Sequence, residues 1–332
     1  MNEGASLDSS VTERLDTWAQ TDWWRRAVRC PRCAAPLREI DARPFCSNAT
    51  CEYSGSGFPI VEDQPVLIDF AASIFERGMY RGGNGSIFHR DVSRRSISSR
   101  LHQLTFGGNQ VAQSNCARFI ELLKQDSERP VVLVIGGGAV GDGADELYTD
   151  DSLELIGTDV YASPYTLLVA DAHRLPFEDG VFDGVWVQAV LEHVLEPTSV
   201  VSEIHRVLRR RGLVYAETPF MQQVHERGYD FSRFTRSGHR WLFRQFSEIR
   251  AGRVGGAGVA LVWSIRYFAR ALGAGDKLSR LVALPFFWIR LLDPLTRGRA
   301  GSDAASGFFF LGRRAERPLD PQAMPRYYDA QR

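Results

Sequence analysis

Long apolar runs are absent from this sequence of 332 residues. A membrane-spanning helix needs about 20 consecutive apolar residues. The longest uncharged stretch near the C-terminus, residues 254–265, is shorter and contains three glycines. The first ten residues, MNEGASLDSS, include acids and no apolar segment, so we expect no secretory signal and a cytoplasmic location.

Lysine is also scarce, because Lys124 and Lys277 are the only two among 40 basic residues, which balance 40 acidic ones. A content of 44% hydrophobic and 24% charged residues excludes wholesale disorder, collagen and coiled coil. The balance hides an asymmetry, with a net charge of −10 in residues 131–220 and +10 in residues 221–332. The basic part either docks on the acidic part or meets a phosphate-bearing partner, nucleic acid or anionic lipid.

Four of the five cysteines lie close together in the N-terminal part. Cys30 and Cys33 form a CxxC pair, and Cys46 and Cys51 form a second, wider pair. Without a secretory signal, such pairs indicate a metal before disulfides. Four thiolates complete a tetrahedral coordination shell and suit a structural Zn²⁺ ion. The alternatives are a redox-active dithiol or a zinc-ribbon fold that has lost its metal. Cys116 stands in a helical pattern and is expected in the core.

The string GFPIVEDQPVLID, residues 57–69, follows the last of these cysteines and predicts two short strands joined by a turn. Cysteine pairs followed by this string resemble the zinc-ribbon module that is an activator subunit of some methyltransferases. They also resemble the ribbon that precedes the catalytic domain of certain ribosomal-RNA guanine methyltransferases. Residues 71–110 are rich in Arg, Ser and Gly and are predicted to form a linker.

The middle of the chain predicts a nucleoside-binding α/β unit. The run VVLVI, residues 131–135, is typical of a strand buried on both faces of a parallel sheet. Glycines at 136–138 and 141 predict a turn into a helix, whose N–H groups and close backbone approach suit a ligand. The next strand ends at Asp159, in the position of an acid that binds ribose hydroxyls. A solvated acid at a strand end is the alternative.

Strand and helix patterns alternate through the rest of this region, which predicts a Rossmann-like, doubly wound sheet of seven strands. The predicted strands are residues 131–135, 153–158, 166–170, 184–188, 213–218, 246–254 and 306–314, with a helix at 197–210. The last two strands are separated by a helical insertion at about residues 257–300.

Three strings carry a family resemblance: DAHRLPFEDGVFD at residues 171–183, then LEHV, then EIHRVLRRRGLVYAETP. Over residues 113–250 the chain resembles the class I S-adenosylmethionine-dependent methyltransferases, nearest the type 11-like branch of quinone-biosynthesis and small-molecule enzymes. The resemblance implies S-adenosylmethionine as cofactor. It implies that Gly136 and Gly138 back the methionine part, that Asp159 and Val160 lie at the ribose, that Asp171 and Ala172 frame the adenine, and that Gln188 faces cofactor and substrate.

Two features depart from the family pattern. Many members have an acid just before the glycine turn, where this chain has Val134 and Ile135. The eleven residues between Asp159 and Asp171 leave little room for a helix, so a shortened crossover, YASPYTLL, must cover that face of the sheet. A nicotinamide dehydrogenase is the rival interpretation, and the string that begins at Asp171 favours the methyltransferase.

The loop after the fifth predicted strand is dense in polar and aromatic residues, at the sheet edge where ligands bind in this architecture. His193, His225 and Asp230 are the candidate catalytic residues, because each could take a proton from the methyl acceptor. Methyl transfer needs mainly alignment, so a base is optional. In the structural alternative Arg233 pairs with Asp230 and His239 packs against the sheet.

The insertion at residues 257–300 interleaves aromatic and basic residues. Amphipathic helices on a membrane surface would have this composition, and so would a cap over the active site or a homodimer interface. Its contact with a membrane, the substrate or a second subunit therefore stays open.

The predicted organisation has four parts: residues 1–70 with the cysteine module, residues 71–110 as linker, residues 111–316 as methyltransferase domain, and residues 317–332 as tail. The predicted acceptor is a small molecule, a glycan or a lipid-linked compound, because the catalytic part is acidic. An enzyme acting on ribosomal or transfer RNA is the alternative, and a non-catalytic partner protein with the same fold is a third hypothesis.

Overall fold

The computed structural model describes residues 23–80, 108–296 and 298–330. Residues 1–22 and most of the segment assigned to the linker lie outside the described residues. The α-helices are α1 (Trp23–Ala27), α2 (Tyr53–Ser56), α3 (Gln110–Asp126), α4 (Asp145–Thr149), α5 (Pro197–Val207), α6 (Arg236–Leu242), α7 (Ala257–Ala271), α8 (Asp276–Ala283), α9 (Gly298–Asp303) and α10 (Ala323–Asp329). Four 3₁₀ helices span Arg77–Tyr80, Ala172–Arg174, Arg227–Tyr229 and Leu284–Leu295.

The β-strands form one two-stranded sheet and one large central sheet within the described ranges. They are β1 (Leu37–Ile40), β2 (Arg43–Cys46), β3 (Ile60–Val61), β4 (Gln64–Leu67), β5 (Val131–Ile135), β6 (Glu154–Asp159), β7 (Leu168–Ala170), β8 (Phe182–Gln188), β9 (Leu208–Pro219), β10 (Phe246–Gly255) and β11 (Gly307–Arg314). β1 and β2 pair as a hairpin, and the central sheet has the order β10-β11-β9-β8-β5-β6-β7-β4-β3.

The central sheet has nine strands, so the predicted count of seven is wrong for the whole sheet. β5 to β11 supply seven strands, and β3 and β4 of the cysteine module add two at one edge. β4 pairs in parallel with β7, through Val66 with Val169 and Leu67 with Ala170. The pairing satisfies backbone groups that an uncovered edge strand would expose to solvent.

The predicted α/β class is confirmed by the middle of the sheet. β4, β7, β6, β5, β8 and β9 run parallel, and β11 and β10 close the other edge in antiparallel pairs. β5 has the bounds that the apolar run predicts, and all its residues are buried. It lies between β6 and β8, with separate hydrophobic clusters covering its two faces, as expected for a parallel strand.

The short crossover between β6 and β7 contains no helix, as its length predicts. Tyr161 and Tyr165 are buried there. The crossover backbone lies directly on the sheet, because a Cβ atom at Gly157 would meet the Tyr165 carbonyl oxygen at 2.0 Å. Glycine at this position therefore lets a single layer of backbone replace the missing helix.

The glycine turn does not lead into a helix, and this part of the prediction is wrong. The chain remains irregular after Ile135 until α4, a helix of five residues, begins at Asp145. Gly143 adopts a φ angle of +83°, and a Cβ atom there would meet the Asn109 carbonyl oxygen at 2.5 Å. The glycines that permit this close approach also lower helix propensity, so the helix starts late.

The cysteine module is packed against the central sheet. Cys30, Cys46, Tyr53 and Phe58 belong to the same hydrophobic cluster as one face of the central sheet. The buried carboxylate of Asp69 adds a polar link, because it accepts hydrogen bonds from an Arg32 nitrogen at 3.0 Å and an Arg174 nitrogen at 2.7 Å. The module and the sheet thus share one core.

The helical insertion lies between β10 and β11, as predicted, and consists of α7, α8, the 3₁₀ helix Leu284–Leu295 and α9. Asp293 accepts hydrogen bonds from the backbone N–H groups of Gly256, Gly258 and Val259, which satisfies the first turn of α7. No helix among the described residues is long and apolar enough to cross a bilayer.

Candidate functional site

An open cavity lies at the carboxyl ends of β5, β6, β7 and β8, and its empty space together with the open solvent at its mouth is about 810 Å³. This edge includes the point between β5 and β8 where the strand order reverses, which is where open α/β sheets bind ligands. The predicted residues on its wall are Gly136, Asp159, Val160, Asp171, Ala172, Gln188 and His193. Within the described ranges, Gly138, His225 and Asp230 lie beside the wall and not on it.

The glycine turn forms one side of the cavity. Gly136 has a φ angle of +73°, and a Cβ atom there would meet a Val190 methyl group at 2.2 Å. Gly138 has no room for a side chain either, because its Cβ atom would meet the Tyr161 ring at 2.3 Å. Both positions therefore require glycine, and the backbone of Gly136 lies on the cavity wall.

Asp159 ends β6 on the cavity wall. Its carboxylate accepts a hydrogen bond from the Gly138 backbone N–H at 2.9 Å and one from the Val160 N–H at 2.7 Å. These contacts fix the carboxylate beside the glycine turn, which is the geometry that the ribose-binding prediction needs.

Asp171 follows β7 and is buried, with its carboxylate held by two side chains. His173 Nδ1 lies 2.6 Å from one oxygen, and the Ser73 hydroxyl donates to the other. Burial acts to raise the pKa of Asp171, but the hydrogen bonds from His173 and Ser73 outweigh it and lower the pKa. The group is therefore ionised at neutral pH, as an acceptor for an amino group requires.

An arm formed by residues 71–80 covers one side of the cavity. Ile74 and Phe75 line it, and the Phe75 ring stacks on Tyr229 at 6.2 Å between centroids. The Tyr80 hydroxyl donates to the Val160 carbonyl at 2.8 Å, which ties the arm to the end of β6. This segment lies in the predicted linker, and no sequence pattern indicates that Ser73, Ile74 or Phe75 are site residues.

His193 is the candidate base that the structure places on the cavity wall. Its Nδ1 lies 2.7 Å from the Tyr229 carbonyl oxygen, so Nδ1 carries the proton and Nε2 the lone pair. Burial lowers the pKa of His193, partly offset by this hydrogen bond. The imidazole is therefore neutral at pH 7 and able to accept a proton.

Asp230 is held in an ion pair with Arg233, which is the arrangement of the structural alternative. Arg233 Nη2 donates to it at 2.8 Å, and the His225 backbone N–H donates at 2.9 Å. Burial acts against ionisation, but the Arg233 hydrogen bond prevails and lowers the pKa of Asp230 to about 2. So acidic a carboxyl is a weak base. His225 Nδ1 lies 3.3 Å from Asp230, and the His225 ring is 4.9 Å from that of His193.

Among the residues that the structure describes, two groups of side chains have ligand atoms close enough to hold a metal ion. In the cysteine module the Sγ atoms of Cys30 and Cys51 are 3.8 Å apart, and those of Cys33 and Cys46 are 3.4 Å apart. Tetrahedral Zn–S bonds of about 2.3 Å separate the sulfur atoms by about 3.8 Å, so the four thiols fit one Zn²⁺ ion.

The second group lies beside the cavity. Glu192, His193 and His225 have ligand atoms within 4.8 Å of one another, and Glu192 is fully buried. The Glu192 carboxylate lies 3.7 Å from His193 Nε2. Two imidazoles and a carboxylate are the donor set of many divalent-cation sites.

A buried carboxyl group, Glu217, connects the sheet to the cavity wall. It accepts hydrogen bonds from the Asn109 side-chain amide at 2.8 Å and from the Gln188 amide at 3.0 Å, and the Tyr215 hydroxyl also donates to it. Burial raises the pKa of Glu217 to about 7, although these three hydrogen bonds oppose the shift. No sequence signal indicates this network, because Glu217 lies within a run of residues that is typical of a strand.

Glu217→Gln is expected to flatten the pH dependence of stability. The unfolded chain releases this proton near pH 4.5 and the folded chain near pH 7. The stabilisation is therefore complete below pH 4.5 and is lost as pH rises through 7. Between pH 5 and 8 the wild type should lose about 1–3 kcal/mol more than the variant, measured by urea unfolding. Glu121→Gln, an exposed carboxylate on α3, is the control, and equal slopes for wild type and Glu217→Gln would refute the assignment.

Comparison with known proteins adds a domain assignment. Residues 142–216 match the family described as methyltransferase domain, and this segment contains Asp159, Asp171 and His193. The match supports the methyltransferase prediction for the part of the chain between the glycine turn and β9. No curated protein matches the chain.

Solved structures of methyltransferases are similar at low identity. Phosphoethanolamine N-methyltransferase 2 of Haemonchus contortus, in complex with S-adenosyl-L-methionine, has a TM-score of 0.42 and 16% identity over 70% of this chain and 61% of its own. An S-adenosylmethionine-dependent methyltransferase from Archaeoglobus fulgidus has 0.41 and 13%, over 66% of this chain and 100% of its own. The 1,6-didemethyltoxoflavin-N1-methyltransferase of Burkholderia thailandensis has 0.36 and 13%, over 66% and 87%. TM-scores below 0.5 assign neither substrate nor cofactor to this chain.

Proposed function

We propose that the chain is an S-adenosylmethionine-dependent methyltransferase acting on a small-molecule, glycan or lipid-linked acceptor. The observation that carries the proposal is the cavity itself. It brings Asp159 and Asp171, at the ends of the adjacent strands β6 and β7, onto one wall that Gly136 also lines. The match of residues 142–216 to a methyltransferase domain supports the same conclusion.

The residues present fit the cofactor in polarity and space. Asp159 would hold the ribose hydroxyls, Asp171 would accept from the adenine amino group with Ala172 beside it, and the Gly136 backbone on the cavity wall would border the methionine part. When bound, S-adenosylmethionine would supply an electrophilic methyl group, from which the acceptor's nucleophile would displace S-adenosylhomocysteine as the C–S bond breaks. Val160 and Gln188 complete the wall, and the Gln188 amide is held by Glu217 and the Asp142 carbonyl.

His193 is proposed to accept the proton of the methyl acceptor at Nε2. The Tyr229 carbonyl holds Nδ1–H, which fixes the ring and directs Nε2 away from that contact. Asp230 is proposed to position the loop of residues 220–232 through Arg233, and not to act as the base. His225 is proposed to hold the His193 ring in position by packing edge-on against it.

The pH profile of activity should show this base. Neutral His193 is the active form, and its pKa is lowered from 6.5, so kcat/KM should fall on the acid side with a midpoint below pH 6.5. His193→Gln keeps a hydrogen-bonding group and should reduce kcat about 100-fold and abolish the acid limb. His205→Gln, a histidine on α5, is the control. An unchanged profile in His193→Gln would exclude His193 as the base.

The cysteine module is proposed to bind one structural Zn²⁺ ion. Four thiols with no position left for substrate suit a structural and not a catalytic site. The module shares a hydrophobic cluster with the sheet and supplies the arm of the cavity, so the ion would stabilise the site indirectly.

The charge of the cavity wall favours an acceptor without a phosphate backbone. In the described part of the chain, this wall contains no Arg or Lys, and Glu226 is an acid on it besides Asp159 and Asp171, which are assigned to the cofactor. A phosphate backbone is poorly accommodated by such a wall, so RNA is the less favoured acceptor.

The experiment that tests the acceptor class is a transfer assay with S-adenosylmethionine carrying a radioactive methyl group. The purified full chain is incubated with RNA, with a polar metabolite extract and with a lipid extract. Label is expected in the metabolite or lipid extract. The His193→Gln variant is expected to lose this labelling. Label in RNA that ribonuclease removes would establish the alternative. Cofactor binding without label in any arm would favour the non-catalytic partner.

A further inference from the structure

Exposed apolar side chains are concentrated in the helical insertion. Of the nineteen large hydrophobic residues exposed in the described parts of the chain, eleven lie between Leu261 and Leu295. They are Leu261, Phe268, Leu272, Leu278, Leu281, Val282, Phe286, Trp288, Leu291, Leu292 and Leu295. Such a concentration on a folded protein marks an interaction surface.

Many large apolar residues of the insertion face outward, whereas most of the residues that its helices bury are small. α7 buries Gly258, Ala260 and Ala269 together with Val262 and Arg266, while Phe268 and Leu272 are 67% and 74% exposed. α8 buries Ser279 and Ala283 while Leu278, Leu281 and Val282 are exposed on one face, three and four residues apart. A helical unit stabilised in water alone does the opposite. The outward face therefore requires an apolar environment.

Basic residues accompany this face. Residues 257–296 contain five basic and two acidic residues. Both acids make contacts within the insertion. Asp293 accepts hydrogen bonds from backbone N–H groups at the start of α7, and Asp276 forms ion pairs with Arg266 and Arg280. Arg270 and Lys277 are exposed beside the apolar residues.

We propose that the apolar face of residues 257–296 docks on an anionic lipid bilayer. Phe268, Leu272, Leu281 and their neighbours enter the headgroup and acyl boundary, and Arg270 and Lys277 contact lipid phosphates. A symmetric dimer through the same face would place Arg270 and Lys277 against the same residues of the second copy. An anionic bilayer would instead offer acyl chains to the apolar side chains and phosphates to the basic ones.

The docked face adjoins the loop that borders the cavity. Gln223 donates a hydrogen bond from its side chain to the Ser264 hydroxyl of α7 at 3.1 Å. The same loop supplies Glu226 and Tyr229 to the cavity wall. A lipid-linked acceptor could thus reach the cavity from the bilayer surface; this step rests on the proposed function, whereas the docking itself does not.

Flotation of the purified full chain with lipid vesicles tests the docking without any cofactor. The chain should bind vesicles containing about 30 mol% phosphatidylglycerol in phosphatidylcholine more tightly than pure phosphatidylcholine. The triple variant Phe268→Gln/Leu272→Gln/Leu281→Gln should weaken binding at least ten-fold, and Arg270→Gln/Lys277→Gln should remove the preference for anionic vesicles. Ile40→Thr/Ile60→Thr, at residues that are 43% and 40% exposed on the cysteine module, is the matched control and should bind like the wild type.

Thermal unfolding of each variant reports that the fold is intact, and binding of S-adenosylhomocysteine separates this proposal from the proposed function. Vesicle binding without cofactor binding would leave the docking standing and refute the enzyme. The docking is refuted if wild type stays unbound to every vesicle, or if the triple variant binds like the wild type. Light scattering that shows a dimer, dissociated by the triple variant and indifferent to vesicles, would instead make the face an interface between two copies.

Discussion

Asp159→Ala is expected to weaken S-adenosylmethionine binding about 100-fold, because two hydrogen bonds from ribose hydroxyls to a carboxylate contribute roughly 3 kcal/mol together. Asp159 also accepts hydrogen bonds from the Gly138 and Val160 N–H groups. Its loss therefore removes a ligand contact and loosens the glycine turn. The measurement is the dissociation constant by isothermal titration.

Two companion variants separate these effects. Asp159→Asn keeps an oxygen that can accept from Gly138, so it should lose less affinity, about ten-fold. Glu121→Ala, at an exposed acid on α3, should bind like the wild type. If Asp159→Ala binds S-adenosylmethionine within two-fold of the wild type, the ribose is not held at this end of β6.

Cys46→Ser is expected to reduce both stability and cofactor binding, although Cys46 does not line the cavity. Loss of one of four metal thiolates should cost at least about 4 kcal/mol, which corresponds to a fall in Tm of roughly 10 °C. Because β4 pairs with β7 and the arm follows it, loosening the module withdraws Ser73 from Asp171 and Phe75 from Tyr229. Thermal unfolding and S-adenosylmethionine titration measure the two effects.

Zinc analysis gives the control for this prediction. The wild type should contain about one Zn²⁺ ion per chain, because four thiolates complete the coordination of one ion. Cys116→Ala, which changes a buried cysteine of α3 outside the cluster, should retain the ion. Chelation of the wild type should reproduce the effect of Cys46→Ser. A zinc-free wild type, or a Cys46→Ser variant with unchanged Tm, would contradict a metal-stabilised module.

Local patterns predicted the parts of the fold that depend on local sequence. The apolar run at Val131–Ile135 has the bounds of β5, because a strand buried on both faces has a continuous apolar signal. The eleven residues between Asp159 and Asp171 correctly excluded a crossover helix, because chain length limits what can fit. Asp159 and Asp171 lie on one cavity because parallel strands end at one sheet edge.

Non-local contacts could not be predicted in the same way. No residue of β4 indicates that its partner is β7, about a hundred residues later, because parallel pairing has no sequence pattern that names the partner. The arm was assigned to a linker for the same reason, since Ser73 and Phe75 acquire their roles from contacts with Asp171 and Tyr229. Asp230 had two interpretations in the sequence, and the structure shows the contact with Arg233 on which the structural one depends.

Isothermal titration of the purified full chain with S-adenosylmethionine, and separately with NAD, tests the central claim most directly. The proposed function predicts a micromolar dissociation constant for S-adenosylmethionine and no heat with NAD. Binding of NAD alone, or of neither compound, would contradict the assignment of this cavity to the methyl donor.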